Sequence, residues 1–328
     1  GVLTDALDWR WTLYVNVVIA VLAFAGGWIL LTNHRDAGNS KLDVPGTVLV
    51  AAGLFSLVYG FSNAETHDWG SALTWGFLIA GGVLLAAFAW WQTRAAHPLL
   101  PLRIVLDRNR AASFLSVMIS GGGMFGVFLF LTYYLQLILG FSPTKTGVAF
   151  LPMVGALMVA SQLGTIVLLP RVGPKVSVPL GFAVAAAGMA WLTGIGVGSS
   201  YASAVLPQLI LTGFGIGLVM PAAMQLATGG VTAEDAGVAS ATVNAMQQVG
   251  GSIGTALLNT LAASAATDYL AGKDATSKLV QAQATIESYT TAFWWSAGLF
   301  AAGAVIAALF FRRGVPQRDA DAAPVVHM

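Results

Sequence analysis

Nine apolar stretches, each separated by polar segments, set the pattern of the chain: Thr12–Leu31, Val44–Ser62, Ala72–Trp91, Ala111–Leu139, Thr146–Leu169, Val176–Gly196, Ser203–Leu226, Gly237–Ala262 and Thr291–Phe311. A hydrocarbon core of roughly 30 Å is crossed by about 20 helical residues. The pattern therefore predicts an all-α polytopic membrane protein with nine transmembrane helices. The fourth stretch is the longest, and Gly121-Gly122-Gly123 within it predicts a tilt or bend. Pro152 and Pro221 lie inside stretches and predict kinks.

Composition agrees with this pattern. Hydrophobic residues make up 57% of the chain and charged residues 9%, whereas a soluble domain carries about 25% charged residues. Every Lys, Arg, Asp and Glu falls outside the nine stretches, as the cost of mid-membrane charge requires. A net charge of +1 argues against nucleic acid as a partner. Cysteine is absent, and His34, His67, His97 and His327 are scattered, so no metal and no cofactor is expected. Asp5 and Asp8 stand where a signal peptide needs basic residues.

The basic residues set an orientation. With the segment after the first stretch in the cytoplasm, that side collects Arg35, Lys41, Arg94, Arg103, Arg108, Arg110, Arg171, Lys175, Arg312, Arg313 and Arg318. The outer side keeps Arg10, Lys145, Lys273 and Lys278. Residues 1–11 are thus expected outside and the C-terminus in the cytoplasm. The linker Gln92–Arg110 is basic and holds two prolines, and it reads as the seam before a C-terminal bundle. The outer segment Ala263–Thr290 is the longest polar one, and SKLVQAQATIES within it predicts a short amphipathic helix on the surface.

Within the stretches only uncharged polar groups are left for chemistry. In the eighth, Asn244, Gln248, Gly251, Thr255 and Asn259 recur at spacings of four, three, four and four, one stripe of a helix. Amides stranded against lipid are unfavourable, so the stripe must face a neighbouring helix or water. It is either interhelical glue or the wall of an aqueous cavity, and Gln247 beside it strengthens the second reading. Gln162 in the fifth stretch shares a face with Gly155, Val159 and Ile166 and reads equally as a cavity or a packing residue. Met124, Phe125, Phe128, Tyr133, Tyr134 and Gln136 cluster on the fourth stretch. They offer adaptable apolar contact, or are ordinary lipid-facing and core residues. Met220 in the seventh stretch is a further candidate contact of the same kind. GFGIG at Gly213–Gly217 lacks the strand and glycine spacing of a dinucleotide site. Gly213/Gly217 and Gly122/Gly126 read instead as helix-packing contacts. No membrane-embedded carboxylate, His or Arg is present to couple a proton, and no hydrolytic constellation is visible.

Several stretches, in order, resemble the fourteen-helix drug:proton antiporters of the major facilitator superfamily, the EmrB/QacA-like group. They are GVLTDALDWRWTLYVNV, HPLLPLRIVLDRNR, YYLQLILGFSPTKTGVAFLP, LLPRVGPK and EDAGVASATVNAMQQVGGSIGTAL. Val18 and Ala20 depart from that family's Pro and Gly after its Trp-Arg-Trp. The resemblance implies that the nine helices are helices six to fourteen of fourteen. Residues 1–40 would hold an outer loop and the last N-terminal-bundle helix, 41–95 two extra central helices, 96–314 the C-terminal six-helix bundle and 315–328 a cytoplasmic tail. It implies an efflux transporter of the cell membrane that exchanges a small lipophilic or cationic compound for protons by alternating access. The missing N-terminal helices would carry the coupling charges. Candidate substrate contacts are then Phe128, Tyr133, Gln162, Met220, Asn244, Gln247 and Gln248. Arg171, Gly173, Pro174 and Lys175 match the family's basic cytoplasmic turn. A dedicated metabolite or siderophore exporter, or a non-transporting fragment, are the alternatives.

Overall fold

The computed structural model describes residues 2–30, 42–67, 69–274 and 276–314. Among these the chain is all helical, with no strand. The helices are α1 (Val2–Ala6), α2 (Arg10–Leu30), α3 (Val44–His67), α4 (Ala72–Gln92), α5 (Leu102–Val105), α6 (Arg108–Tyr133), α7 (Pro143–Leu163), α8 (Leu169–Val172), α9 (Pro174–Leu192), α10 (Tyr201–Ala204), α11 (Leu206–Thr228), α12 (Ala233–Leu270) and α13 (Lys278–Phe310). Segment 31–41, with Arg35 and Lys41, and the tail 315–328 lie outside the described residues.

Among the described residues, eight helical segments are long and apolar enough to cross a membrane. Each overlaps one of the predicted stretches. The ninth, α12, is a 38-residue helix whose amides and hydroxyls keep it below that apolar threshold. It nevertheless runs against α6 and α13, which meet the threshold, and against α3. In lipid every backbone group must be paired internally, and a helix does this within one segment.

The predicted surface helix is not a separate element. Residues Lys278–Ser288 are the first turns of α13, and Ala263–Leu270 are the last turns of α12. At 1.5 Å per residue these helices are about 57 and 50 Å long, longer than the hydrocarbon core. Their ends therefore extend beyond it, and the Tyr269 hydroxyl donates to Gln283 Oε1 at 2.8 Å across the extension.

Glycines set the closest helix contacts. A methyl added at Gly250 would overlap the Met118 carbonyl, and one at Gly254 would overlap Gly122, so α6 and α12 touch backbone to backbone. Gly121 and Gly122 serve this contact, and Gly123 makes room for the Phe300 ring of α13, all within the continuous helix α6. Gly213 and Gly217 seat α11 on the Met153 and Leu157 carbonyls of α7, while Gly215 seats it on α9. Both predicted small-residue pairs are packing contacts. Two π-helical turns, Tyr134–Ile138 and Gly164–Leu168, close α6 and α7.

The Gln92–Arg110 linker ties the helix ends together. Asp43, just before α3, accepts from Gly46 N (2.9 Å), Trp91 Nε1 (2.8 Å), the Gln92 amide (2.7 Å) and Leu99 N (3.4 Å). Arg108 donates to the Phe310 carbonyl at 2.7 Å and to that of Leu309, at the C-terminus of α13. Arg110 donates to the Gly230 carbonyl at 2.9 Å. Cations placed on terminal carbonyls complement the helix dipole.

Candidate functional site

The polar stripe of α12 lines a cleft. Gln248, Gly251, Ser252, Thr255, Ala256 and Asn259 form one wall, Phe125 of α6 a second, and Val58 and Ser62 of α3 the third. Its volume is about 470 Å³, within the range of about 300 to 1,000 Å³ usual for small-molecule pockets. Gly251 has a specific part in it. A Cβ there would sit 2.6 Å from the Phe125 ring, so only glycine leaves the ring its place against α12. The surface on offer is two amides, three hydroxyls, one aromatic ring and small apolar groups.

The other predicted contacts are distributed. Asn244, a turn before Gln248, is exposed, and its amide donates to the Ser240 carbonyl at 3.1 Å. Gln247 is half-buried on the side where α6 approaches its carbonyl. Phe128 is half-buried and lies 4.9 Å from the Phe150 ring of α7, centroid to centroid. Met220 is half-buried against the bundle core. Tyr133 is 44% exposed near the end of α6. Gln162 is exposed on α7, as are Gly155 and Val159, and Ile166 is exposed on the π-turn that follows. The structure therefore brings Gln248 into the cleft and leaves Asn244, Gln247, Phe128, Tyr133, Met220 and Gln162 outside its lining. Val58 and Ser62 were not anticipated. They sit at positions i and i+4 of a helix whose partner could not be read from periodicity.

Arg171, Gly173, Pro174 and Lys175 form the junction of α8 and α9. Gly173 has φ 72° and ψ 174°, a conformation open almost only to glycine. Pro174 follows at the first position of α9, where its missing N–H costs nothing. Gly173 and Pro174 are buried, Lys175 is half-buried and Arg171 is exposed. Among the described residues no cluster of three or more potential metal ligands occurs.

Residues 1–255 match the Major Facilitator Superfamily. The chain belongs to that family. It is a multi-pass membrane protein of a transporter family, and not an enzyme. It is 44% identical over 309 residues to the puromycin resistance protein pur8 of Streptomyces alboniger, covering 94% of this chain and 61% of that relative. It is 32% identical over 286 residues to the tetracenomycin C resistance and export protein of Streptomyces glaucescens, covering 85% and 52%. With the cephamycin export protein CmcT of Amycolatopsis lactamdurans it shares 35% identity over 268 residues, covering 80% and 55%. The chain spans between about half and three-fifths of the length of these relatives.

Proposed function

We propose that this superfamily member works in efflux of drugs or antibiotics, as the C-terminal part of a fourteen-helix, proton-coupled transporter of the EmrB/QacA-like group. The observation that carries the proposal is the cleft, where a helical stripe of amides and hydroxyls meets an aromatic ring in a space of small-molecule size. The names of the relatives, which cite resistance to or export of puromycin, tetracenomycin C and cephamycin, support it. In this reading α2 is the last helix of the N-terminal bundle, α3 and α4 are the extra pair, and residues 96–314 are the C-terminal bundle. No residue of α2 is buried, which fits a helix whose partners are the N-terminal helices. Those helices supply the proton-coupling charges, and alternating access moves the two bundles about the substrate. The protein lies in the cell membrane with the basic linker and the C-terminus in the cytoplasm. Arg171, Gly173, Pro174 and Lys175 form the turn that holds one conformation.

A dedicated exporter of one compound is the second reading, favoured by relatives named for single antibiotics. Efflux assays in cells expressing the full reading frame decide between them. Export of several unrelated lipophilic or cationic compounds, abolished by a protonophore, is expected. Export of a single compound establishes the dedicated reading, and no export of any compound refutes efflux. The 328-residue chain alone in proteoliposomes is expected not to transport.

A further inference from the structure

We infer that α3 supplies specificity-determining residues, Val58 and Ser62, and that the cleft takes an uncharged, hydrogen-bonding part of an aromatic substrate. The inference rests on the reading that the cleft binds substrate. It extends the site from the bundle to the extra helix pair, which the sequence offered no reason to include.

Val58 and Ser62 are one helical turn apart and lie among the cleft-lining residues with Gln248, Thr255 and Asn259. Their helix is braced along its length by α4. Gly60 and Gly81 let α3 and α4 meet within contact distance of Leu78 and Leu57. The buried Asn63 amide donates to the Thr74 hydroxyl at 2.8 Å, and Asp43 fixes the other end of the pair to Trp91 and Gln92. A wall stiffened by a second helix at both its ends resists local deformation and so can discriminate by shape. The chemistry follows from the lining. Hydroxyls and amides both donate and accept, so they match carbonyl, hydroxyl and amide groups. The Phe125 ring supplies a face for stacking. Among the described residues the cleft's lining holds no ionisable side chain, so no counter-charge there offsets the desolvation of a charged group. The lining therefore favours an uncharged group over an ammonium.

These 328 residues hold no cysteine, so a single-cysteine test needs only the replacement by serine of any cysteine elsewhere in the full reading frame. Ser62→Cys and, on α4, Ile79→Cys (63% exposed at the native residue) are each introduced into the full reading frame and labelled with a methanethiosulfonate reagent in membrane vesicles. The probes are two transported aromatic compounds, one uncharged and one whose only polar group is an ammonium. The uncharged compound is expected to slow labelling at position 62 and leave position 79 unchanged. Ser62→Ala is expected to raise the KM for that compound by about two- to tenfold, the worth of one hydrogen bond, with kcat and membrane abundance retained. Val58→Phe is expected to exclude the bulkier of two uncharged compounds. If position 62 is not protected and Ser62→Ala and Val58→Phe leave both KM values unchanged, while Gln248→Leu still alters the substrate range, the α3 assignment fails and the substrate cleft stands. If Gln248→Leu is silent as well, both fail. Equal protection by the ammonium compound overturns the ligand class.

Discussion

Arg103 grips Asp235 at two points across 132 residues of sequence, Nε to Oδ2 at 3.1 Å and Nη2 to Oδ1 at 2.8 Å. The aspartate side chain is 10% exposed and the arginine side chain 67%. This contact pins the linker helix α5 to the start of α12, the helix that carries the polar stripe. Solvent at the arginine limits its worth, so the coupling is expected to be about 1 kcal/mol. A double-mutant cycle of Arg103→Gln and Asp235→Asn, read by thermal unfolding in detergent, measures it directly. Arg103→Lys should lose most of the coupling, because an ammonium does not reproduce the planar two-point fork.

Asp43 predicts an acid-sensitive junction. Burial raises its pKa, but donation from Trp91, Gln92, Gly46 and Leu99 lowers it more, leaving it below the ordinary 3.8. A carboxylate depressed in the folded state contributes stability that is present above its unfolded value and lost as pH falls through its folded value. The α3–α4–linker junction should therefore hold unchanged down to about pH 5 and weaken progressively below 3.8. Asp43→Asn removes that acid dependence and lowers stability at neutral pH. Limited proteolysis at the Gln92–Arg110 linker as a function of pH reads both effects.

The glycine seam predicts a sharp contrast between neighbouring substitutions. Gly250→Ala places a methyl against the Met118 backbone, which cannot move without shifting α6. A loss of about 1 to 3 kcal/mol is expected, seen as reduced membrane abundance and a lower melting temperature. Gly298→Ala on α13 meets nothing within 4 Å and should be neutral or slightly stabilising, since alanine is the better helix former.

Gly173→Ala tests the junction of α8 and α9. At φ 72° and ψ 174° a Cβ is strained whatever the surrounding space, at a cost of about 1 to 3 kcal/mol. The expected result is a lower melting temperature, with Lys175→Ala, whose backbone is unaffected, near the native value. Equal losses for both variants would move the role of this turn from backbone geometry to charge.

The helices were legible because lipid demands long apolar runs. Run length located all nine stretches, including the one in α12, whose amides and hydroxyls keep it below the apolar threshold the other eight meet. The true length of α12 was not legible, since helices that leave the membrane can continue through polar residues such as Thr267 and Asp268 without penalty. The π-turns at Tyr134 and Gly164 also escaped, because they are changes of hydrogen-bond register within an unbroken apolar pattern. Gly121–Gly123 signalled unusual backbone behaviour, but only the packed neighbours show the close approach it permits. The cleft was half legible. Periodicity identified Gln248, Thr255 and Asn259 as one face, whereas the facing helix α3 is a tertiary choice that no local pattern encodes. The Asp43 node has the same cause, with partners 48, 49 and 56 residues away.

Gln248 and Gly251 decide whether the stripe is a binding wall or interhelical glue. Gln248→Leu keeps the side chain's approximate volume and removes its amide. If the amide faces substrate, the range of exported compounds changes while abundance and melting temperature stay near native. If it glues helices, abundance collapses instead. Gly251→Ala supplies an independent arm, because its methyl meets the Phe125 ring and not backbone. The ring can rotate away, so the stability loss should be smaller than for Gly250→Ala, yet the cleft is reshaped. Efflux of aromatic compounds should therefore fall more in Gly251→Ala than in Gly250→Ala once each is normalised to membrane abundance. The reverse order would place Phe125 outside the substrate's path.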